Sequence, residues 1–238
     1  MNILRHNFCS KKFSVFKKEV SPMRRQSGFT LVEIAIVLVI IGWILGGILK
    51  GQELIDSARV RSLSNEMSGI RTAWYAFQDR YNALPGDFVN ASTQIDSSLS
   101  NGDADGRIEA EGSETTLIWQ HLSVAGFISG NFTGGTAAVD TLDCENGVSS
   151  CPANPFNGVY KIVYSNEGAD NSGDANEFFT GGQIPVNILL QLDLKLDDGL
   201  ASDGELRSHS VTDVNCRSEE SWNIAGESQN CAAVLRGF

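Results

Sequence analysis

One apolar segment near the N-terminus constrains this chain more than any other feature. Residues 29–49 read FTLVEIAIVLVIIGWILGGIL, with Glu33 as the only charged side chain. A helix of that length extends roughly 31 Å, which is about the thickness of the hydrocarbon core of a bilayer. A cleavable secretory signal would have a shorter apolar run and a small-residue cleavage site, and no A-x-A pattern follows Leu49. The sequence therefore predicts a transmembrane helix.

The charges on the two sides of this segment differ in sign. Residues 1–28 carry seven Lys or Arg and one acid, whereas the other residues carry 11 basic and 28 acidic groups. Basic flanks usually stay in the cytoplasm, so we expect a cytoplasmic N-terminus and an exported C-terminal part. The acidity of the exported part argues against nucleic acid as a partner, because phosphate binding needs clustered Lys and Arg.

The sequence offers little for catalysis. His121 and His209 are the only histidines after the apolar run, and no nucleophile elbow, zinc-protease motif or phosphate-binding glycine loop is present. Acids are numerous enough for a glycosidase-type pair, but no spacing singles one out. We expect no enzymatic activity.

Four of the five cysteines lie in the exported part, at Cys144, Cys151, Cys216 and Cys231. An even number of cysteines at short spacing outside the cytoplasm favours disulfides. Three pairings are possible, and local pairing is the simplest. A zinc site would need closer C-x-x-C spacing.

A motif marks the boundary between the basic and the apolar segments. Residues 24–33 read RRQSGFTLVE. This stretch resembles the processing site of type IV prepilins and type II secretion pseudopilins. In that family a prepilin peptidase cuts after a Gly, the new N-terminal Phe is N-methylated, and the fifth mature residue is Glu. The resemblance assigns processing to Gly28 and Phe29 and subunit assembly to Glu33, which would pair with the free amine of a neighbouring subunit.

The helical pattern continues beyond the apolar run. Apolar side chains recur every three or four residues at Val60, Leu63, Met67, Ile70, Trp74, Phe77 and Tyr81. The helix should end at residues 81–83, before the breaker run Leu84–Asp87. We predict a second helix at residues 114–125, strands at 159–164, 177–180 and 231–238, and a helix in the ambiguous stretch 185–196. These elements predict an α+β fold of the pilin type, with a long helix on a small antiparallel sheet and disulfide-linked loops.

The resemblance also implies a domain organisation and a function. It divides the chain into a leader (1–28), a transmembrane and assembly helix (29–49), an amphipathic half of that helix (50–84) and an exported α+β domain (85–238). It implies a subunit of a type IV pilus or related filament, held first in the bacterial inner membrane with a periplasmic C-terminal domain. The partners would be prepilin peptidase, other pilin subunits and the inner-membrane assembly platform. A type II secretion pseudopilin is the first alternative, and a membrane-anchored binding module or adhesin that never polymerises is the second.

An acidic loop suggests calcium as a cofactor. Residues 101–109, NGDADGRIE, resemble the start of an EF-hand loop, with oxygen ligands from Asn101, Asp103, Asp105, the backbone of Arg107, and Glu109. Position twelve is Gly112 where Glu is expected, so a solvated turn competes with calcium binding. A second acidic group, which we interpret as a capped turn, consists of Asp193, Asp197, Asp198 and Asp203.

Overall fold

The computed structural model describes residues 28–109, 113–134, 150–168, 173–209 and 215–238. The chain divides into two compact units, Met1–Ile48 and Leu49–Phe238, which we describe one at a time. One helix, α1 (Leu31–Tyr81), begins in the first unit and ends in the second. It ends at Tyr81 as predicted, and Asn82 follows with φ of 51°, a left-handed conformation that does not continue a helix.

In the first unit, all described residues, 28–48, are exposed. They include large apolar side chains such as Leu31, which is 90% exposed, and Trp43, which is 85% exposed. The helix is long and apolar enough to cross a membrane. An apolar surface of this size requires a non-aqueous neighbour, so this segment is consistent with membrane anchoring.

In the second unit, α1 buries one face. The buried apolar side chains on that face are Val60, Leu63, Met67, Ile70, Ala73, Trp74 and Phe77. Apart from Ala73, they recur at steps of three and four residues, which confirms the predicted stripe from Val60 to Phe77; Tyr81, its last predicted member, is half-buried. The stripe belongs to a single hydrophobic cluster that also contains side chains of the sheet and of the later helices.

Three shorter helices and six strands follow α1 among the described residues. The helices are α2 (Ala91–Gln94), α3 (Glu114–Val124) and α4 (Val186–Leu196), and a 3₁₀ turn covers Ile224–Gly226. The strands are β1 (Lys161–Ser165), β2 (Ala175–Phe179), β3 (Leu206–Ser208), β4 (Arg217–Ser218), β5 (Ser221–Trp222) and β6 (Ala233–Leu235). Both predicted later helices are therefore present, and the predicted strands correspond to β1, β2 and β6.

The main sheet is antiparallel throughout. Its strand order is β1-β2-β6-β3, and β4 pairs with β5 in a separate hairpin. Phe178 on β2 lies opposite Ile162 on β1 and Leu235 on β6, so one row of large apolar side chains crosses the sheet. This row supplies the face that packs into the core.

Aromatic contacts connect the sheet to α1. The ring of Phe238 stacks on Phe178 at 5.1 Å between centroids and meets Trp74 of α1 edge-on at 5.8 Å. The hydroxyl of Tyr160 donates a hydrogen bond to Glu66 of α1 at 2.6 Å. The architecture is thus the predicted α+β fold, a long N-terminal helix packed on a small antiparallel sheet.

A disulfide joins Cys216 to Cys231, across a separation of 15 residues and a Cα–Cα distance of 5.7 Å. This bond confirms one of the two local pairs expected from the sequence. Cys151 is also disulfide-bonded, and Cys144 lies outside the described residues. The Cys216–Cys231 bond ties the β4–β5 hairpin to the segment that leads into β6.

Candidate functional site

The first candidate site is the start of α1. Gly28, Phe29 and Thr30 precede the helix and are exposed. The hydroxyl of Thr30 accepts a hydrogen bond from the backbone N–H of Glu33 at 3.2 Å. In return, Oε2 of Glu33 accepts hydrogen bonds from the backbone N–H and the hydroxyl of Thr30, each at 2.9 Å. This reciprocal pattern is a capping box, which satisfies donors that the first turn of a helix leaves unpaired.

The capping box gives Glu33 a local partner that the sequence analysis did not identify. The T-x-x-E spacing of residues 30–33 is the sequence pattern of a capping box and could have predicted this contact. Both members lie after Gly28, so a cut at that glycine leaves the box intact. Only Oε2 of Glu33 is engaged by Thr30, and among the described residues Oε1 accepts no hydrogen bond. The side chain therefore caps its own helix and still offers an oxygen to a second donor.

The second candidate site is the acidic loop, and Asp87 organises it. The backbone N–H groups of Ala104, Asp105 and Gly106 all donate to the Asp87 carboxylate, the last at 2.9 Å. Burial raises the pKa of Asp87, and these three donors act in the opposite direction. Gly106 has φ of 86°, the left-handed conformation that the predicted sharp turn requires.

The loop also approaches the backbone at Asp87 closely. A Cβ atom at Gly102 would lie 2.3 Å from the Cα of Asp87, so no other residue fits there. Asp87 is the last residue of the breaker run that follows α1, in the stretch YNALPGD. Sequence reasoning treated this residue as part of a turn, because nothing local shows that its carboxylate collects N–H groups from a loop 17 to 19 residues away.

Glu114, the first residue of α3, closes the other side of the loop. Its carboxylate accepts hydrogen bonds from the backbone N–H of Asp103 at 3.4 Å and of Glu109 at 3.3 Å. Burial and a side-chain hydrogen bond with Glu109 raise the pKa of Glu114 to about 8. Glu114 therefore holds a proton at neutral pH.

The structure brings together three of the predicted calcium ligands. Asp103, Asp105 and Glu109 place one carboxylate oxygen each within 4.8 Å of one another, and Asp103 makes a second group of this kind with Asp87 and Glu114. The side-chain oxygen of Asn101, another predicted ligand, accepts a hydrogen bond from the N–H of Ser92 at 2.9 Å. The remaining predicted ligand is the backbone carbonyl of Arg107, and it stays a prediction; the guanidinium of that residue lies 5.0 Å from the centre of the Tyr164 ring.

Position twelve of the expected EF-hand loop, Gly112, lies outside the described residues. Glu114 contributes its carboxylate from two residues further on, a role the sequence had left open. Calcium binding by this loop stays a prediction. The proton on Glu114 would have to leave before this carboxylate could bind a cation, because a carboxylate ligand must be ionised.

His121 fixes the loop to α3 without offering chemistry. Its Nδ1 accepts the backbone N–H of Gly86 at 3.0 Å, and its Nε2 lies 2.9 Å from the carbonyl oxygen of Ser100. The first contact requires an unprotonated Nδ1, so Nε2 carries the hydrogen and donates. Burial lowers the pKa of His121, which keeps the ring neutral. The residue is a structural connection between the end of α1 and the acidic loop.

Comparison with known protein families gives one match. Residues 23–49 match the model of the prokaryotic N-terminal methylation motif. This range contains Gly28, Phe29 and the capping box, together with the exposed apolar part of α1. No curated protein matches the chain, and no solved structure matches it.

Proposed function

The chain carries the N-terminal methylation motif of prepilins, and on that premise we propose that it is a structural subunit of a type IV pilus or a related filament. The precursor is inserted in the inner membrane, cut after Gly28 and methylated at Phe29. The product then polymerises through α1. The observation that carries this proposal is the match of residues 23–49 to the methylation motif, because this range includes the part of α1 whose apolar side chains are exposed.

The apolar part of α1 supports assembly on energetic grounds. Removing one large aliphatic side chain from water is favourable by roughly 1.5–3 kcal/mol. This segment exposes many such side chains. A bilayer covers that surface before assembly, and neighbouring helices cover it afterwards. Gly42, Gly46, Gly47 and Gly51 have small-xxx-small spacing, which lets helices approach closely.

Glu33 gives the assembly its register. A carboxylate in an apolar helix costs about 2.5–3.5 kcal/mol at the bilayer centre and less near an end. Cleavage after Gly28 creates a charged amine at Phe29, and the amine of one subunit pairs with Glu33 of the next. The capping box leaves one carboxylate oxygen for this bond.

The mature N-terminus tests the proposal. Protein isolated from its native host and analysed by mass spectrometry should begin at N-methylated Phe29. A Gly28→Leu variant should remain uncut, whereas the neighbouring Ser27→Ala variant should be processed normally. An uncut Gly28–Phe29 bond in the native protein would refute the filament proposal and favour the membrane-anchored binding module.

Two substitutions separate the charge of Glu33 from its capping role. Glu33→Gln keeps the capping box, because Gln also serves at this position, but removes the charge. Thr30→Val keeps the charge and removes the two hydrogen bonds of the box that involve the hydroxyl. We expect the Gln variant to be processed and to fail in assembly, and the Val variant to assemble with a less stable first turn. Normal filaments from Glu33→Gln would contradict the ion-pair role.

Protein isolated from the native host also distinguishes a pilus from a type II secretion pseudopilus. Recovery of the methylated protein with filaments sheared from the cell surface favours a pilus. Retention in the envelope, together with loss of protein secretion on deletion, favours a type II secretion pseudopilus. In both cases the protein acts by assembly and not by catalysis.

A further inference from the structure

We propose that Asp193, Asp197 and Asp198 form a binding site for a hard divalent cation, with calcium as its ligand, at the C-terminal end of α4. One carboxylate oxygen from each residue lies within 4.8 Å of the other two. Calcium binds oxygen at about 2.3–2.6 Å, so two ligands on opposite sides of one ion are at most about 5 Å apart. The three carboxylates are therefore close enough to share a single ion.

The independent indication of a ligand is the buried side chain of Asp193. This residue has no exposed surface. Its Oδ2 accepts a hydrogen bond from the indole N–H of Trp222 at 2.7 Å, and the backbone N–H of Gly199 also interacts with the carboxylate. Its Oδ1 is buried and has no hydrogen-bond partner of normal length and angle among the described residues. A buried carboxylate oxygen without a partner is costly, and a bound cation would satisfy it.

The neighbouring acids also accept backbone N–H groups. Asp198 accepts the backbone N–H of Leu200 through Oδ1 at 2.8 Å, and Asp197 accepts the backbone N–H of Glu205 through Oδ2. These hydrogen bonds restrict the positions of both carboxylates. Such outer contacts are what fixes the ligands of a metal site.

The electrostatics of this helix end favour a cation. The C-terminus of a helix carries partial negative charge from its unpaired carbonyl groups, and here three acids are added to it. Among the described residues, none of the three carboxylates forms an ion pair with Lys, Arg or His. Lys195 lies on the same helix but is exposed. Burial raises the pKa of Asp193 to about 6, and the charges of Asp197 and Asp198 add to the effect.

The backbone carbonyls at the end of α4 and water would complete the coordination. A ligand set made only of oxygen suits calcium or magnesium and not a thiophilic metal. Calcium accepts irregular geometry, whereas magnesium demands a near-octahedral site. The three acids lie on one short stretch of chain and two of them are exposed. Such a site fits calcium better than magnesium, because calcium accepts irregular geometry.

Terbium luminescence tests the site directly. Tb³⁺ replaces calcium in oxygen sites and emits when a nearby tryptophan is excited, and Trp222 contacts Asp193. Full-length protein in detergent, freed of metal with a chelator, should give terbium emission on tryptophan excitation that calcium displaces. Trp222→Phe should abolish most of this emission. Asp197→Asn/Asp198→Asn should abolish both the emission and its displacement, whereas Asp203→Asn, the same change nearby, should not.

Thermal unfolding provides the second measurement. Calcium at ten times its dissociation constant should raise the melting temperature by about 3–6 °C. The shift should persist in Asp103→Asn/Asp105→Asn, which removes acids from the other loop, and should be lost in Asp197→Asn/Asp198→Asn. Both substituted residues of the latter variant are exposed, so we expect it to fold. An unchanged calcium shift and unchanged terbium emission in that variant would overturn the proposal, as would the absence of any effect in the wild type.

Discussion

Replacing Glu114 with Gln should remove a specific part of the pH dependence of stability. The pKa of Glu114 in the folded protein is raised to about 8, first by burial and then by the hydrogen bond with Glu109. A carboxyl group with a raised pKa stabilises the folded state while it is protonated. That contribution is fully present below the ordinary value of 4.5 and is lost as the pH rises through about 8.

The size of this pH-dependent contribution to stability follows from the change in the pKa of Glu114. A change from 4.5 to about 8 corresponds to an upper limit of about 5 kcal/mol. Glu109 is only half-buried, so solvent screens the pair and we expect about 2 kcal/mol. Asp193 contributes in the same direction, because its pKa is raised to about 6. The comparison of variant with wild type isolates the part due to Glu114.

Equilibrium urea unfolding measures this difference. Full-length protein in non-ionic detergent with EDTA would be unfolded at about pH 5 and about pH 9, followed by the fluorescence of the buried tryptophans. The wild type should lose about 2 kcal/mol more than Glu114→Gln between the two pH values. Glu220→Gln, the same change at an exposed position, should behave as the wild type. Parallel profiles for wild type and Glu114→Gln would refute the raised pKa of Glu114.

Three further predictions concern the second unit, Leu49–Phe238. Cys216→Ala/Cys231→Ala should lower the free energy of unfolding by about 3 kcal/mol, as expected for a link across 15 residues; an unchanged urea midpoint would contradict this. Phe238→Ala should cost about 2 kcal/mol through its lost contacts with Trp74 and the sheet, and Phe238→Leu should cost less in the same urea assay. His121 should stay neutral at about pH 6, with the hydrogen on Nε2, in nitrogen-15 NMR; a protonated ring would contradict the bond from Gly86.

The long and strongly patterned elements could be predicted from the sequence. The apolar stripe of α1, with Leu63 and Phe77 fully buried, follows from helical periodicity alone. The stretch that forms α4 was ambiguous, because it fits both a helix and a strand. Pro185 before it and the Asp-Asp-Gly sequence after it favoured the helix, and the structure agrees.

The short elements and the sites depended on contacts that local patterns do not contain. Strand β3 has three residues and forms only by pairing with β6, so no periodicity marks it. Asp193 looked like part of a capped turn, because the sequence does not show that Trp222, 29 residues later, would bury it. The raised pKa of Glu114 arises only because the acidic loop and α3 fold against each other, which no local pattern shows.

The position at which α1 begins has a consequence for proteolysis of the preceding residues. Gly28 and Phe29 have no regular secondary structure, and the helix begins at Leu31. Peptidases bind their substrates in extended form, so an enzyme that hydrolyses the bond between these two residues has no helical turn to unwind. Cleavage of that bond would therefore leave all backbone hydrogen bonds of α1 intact.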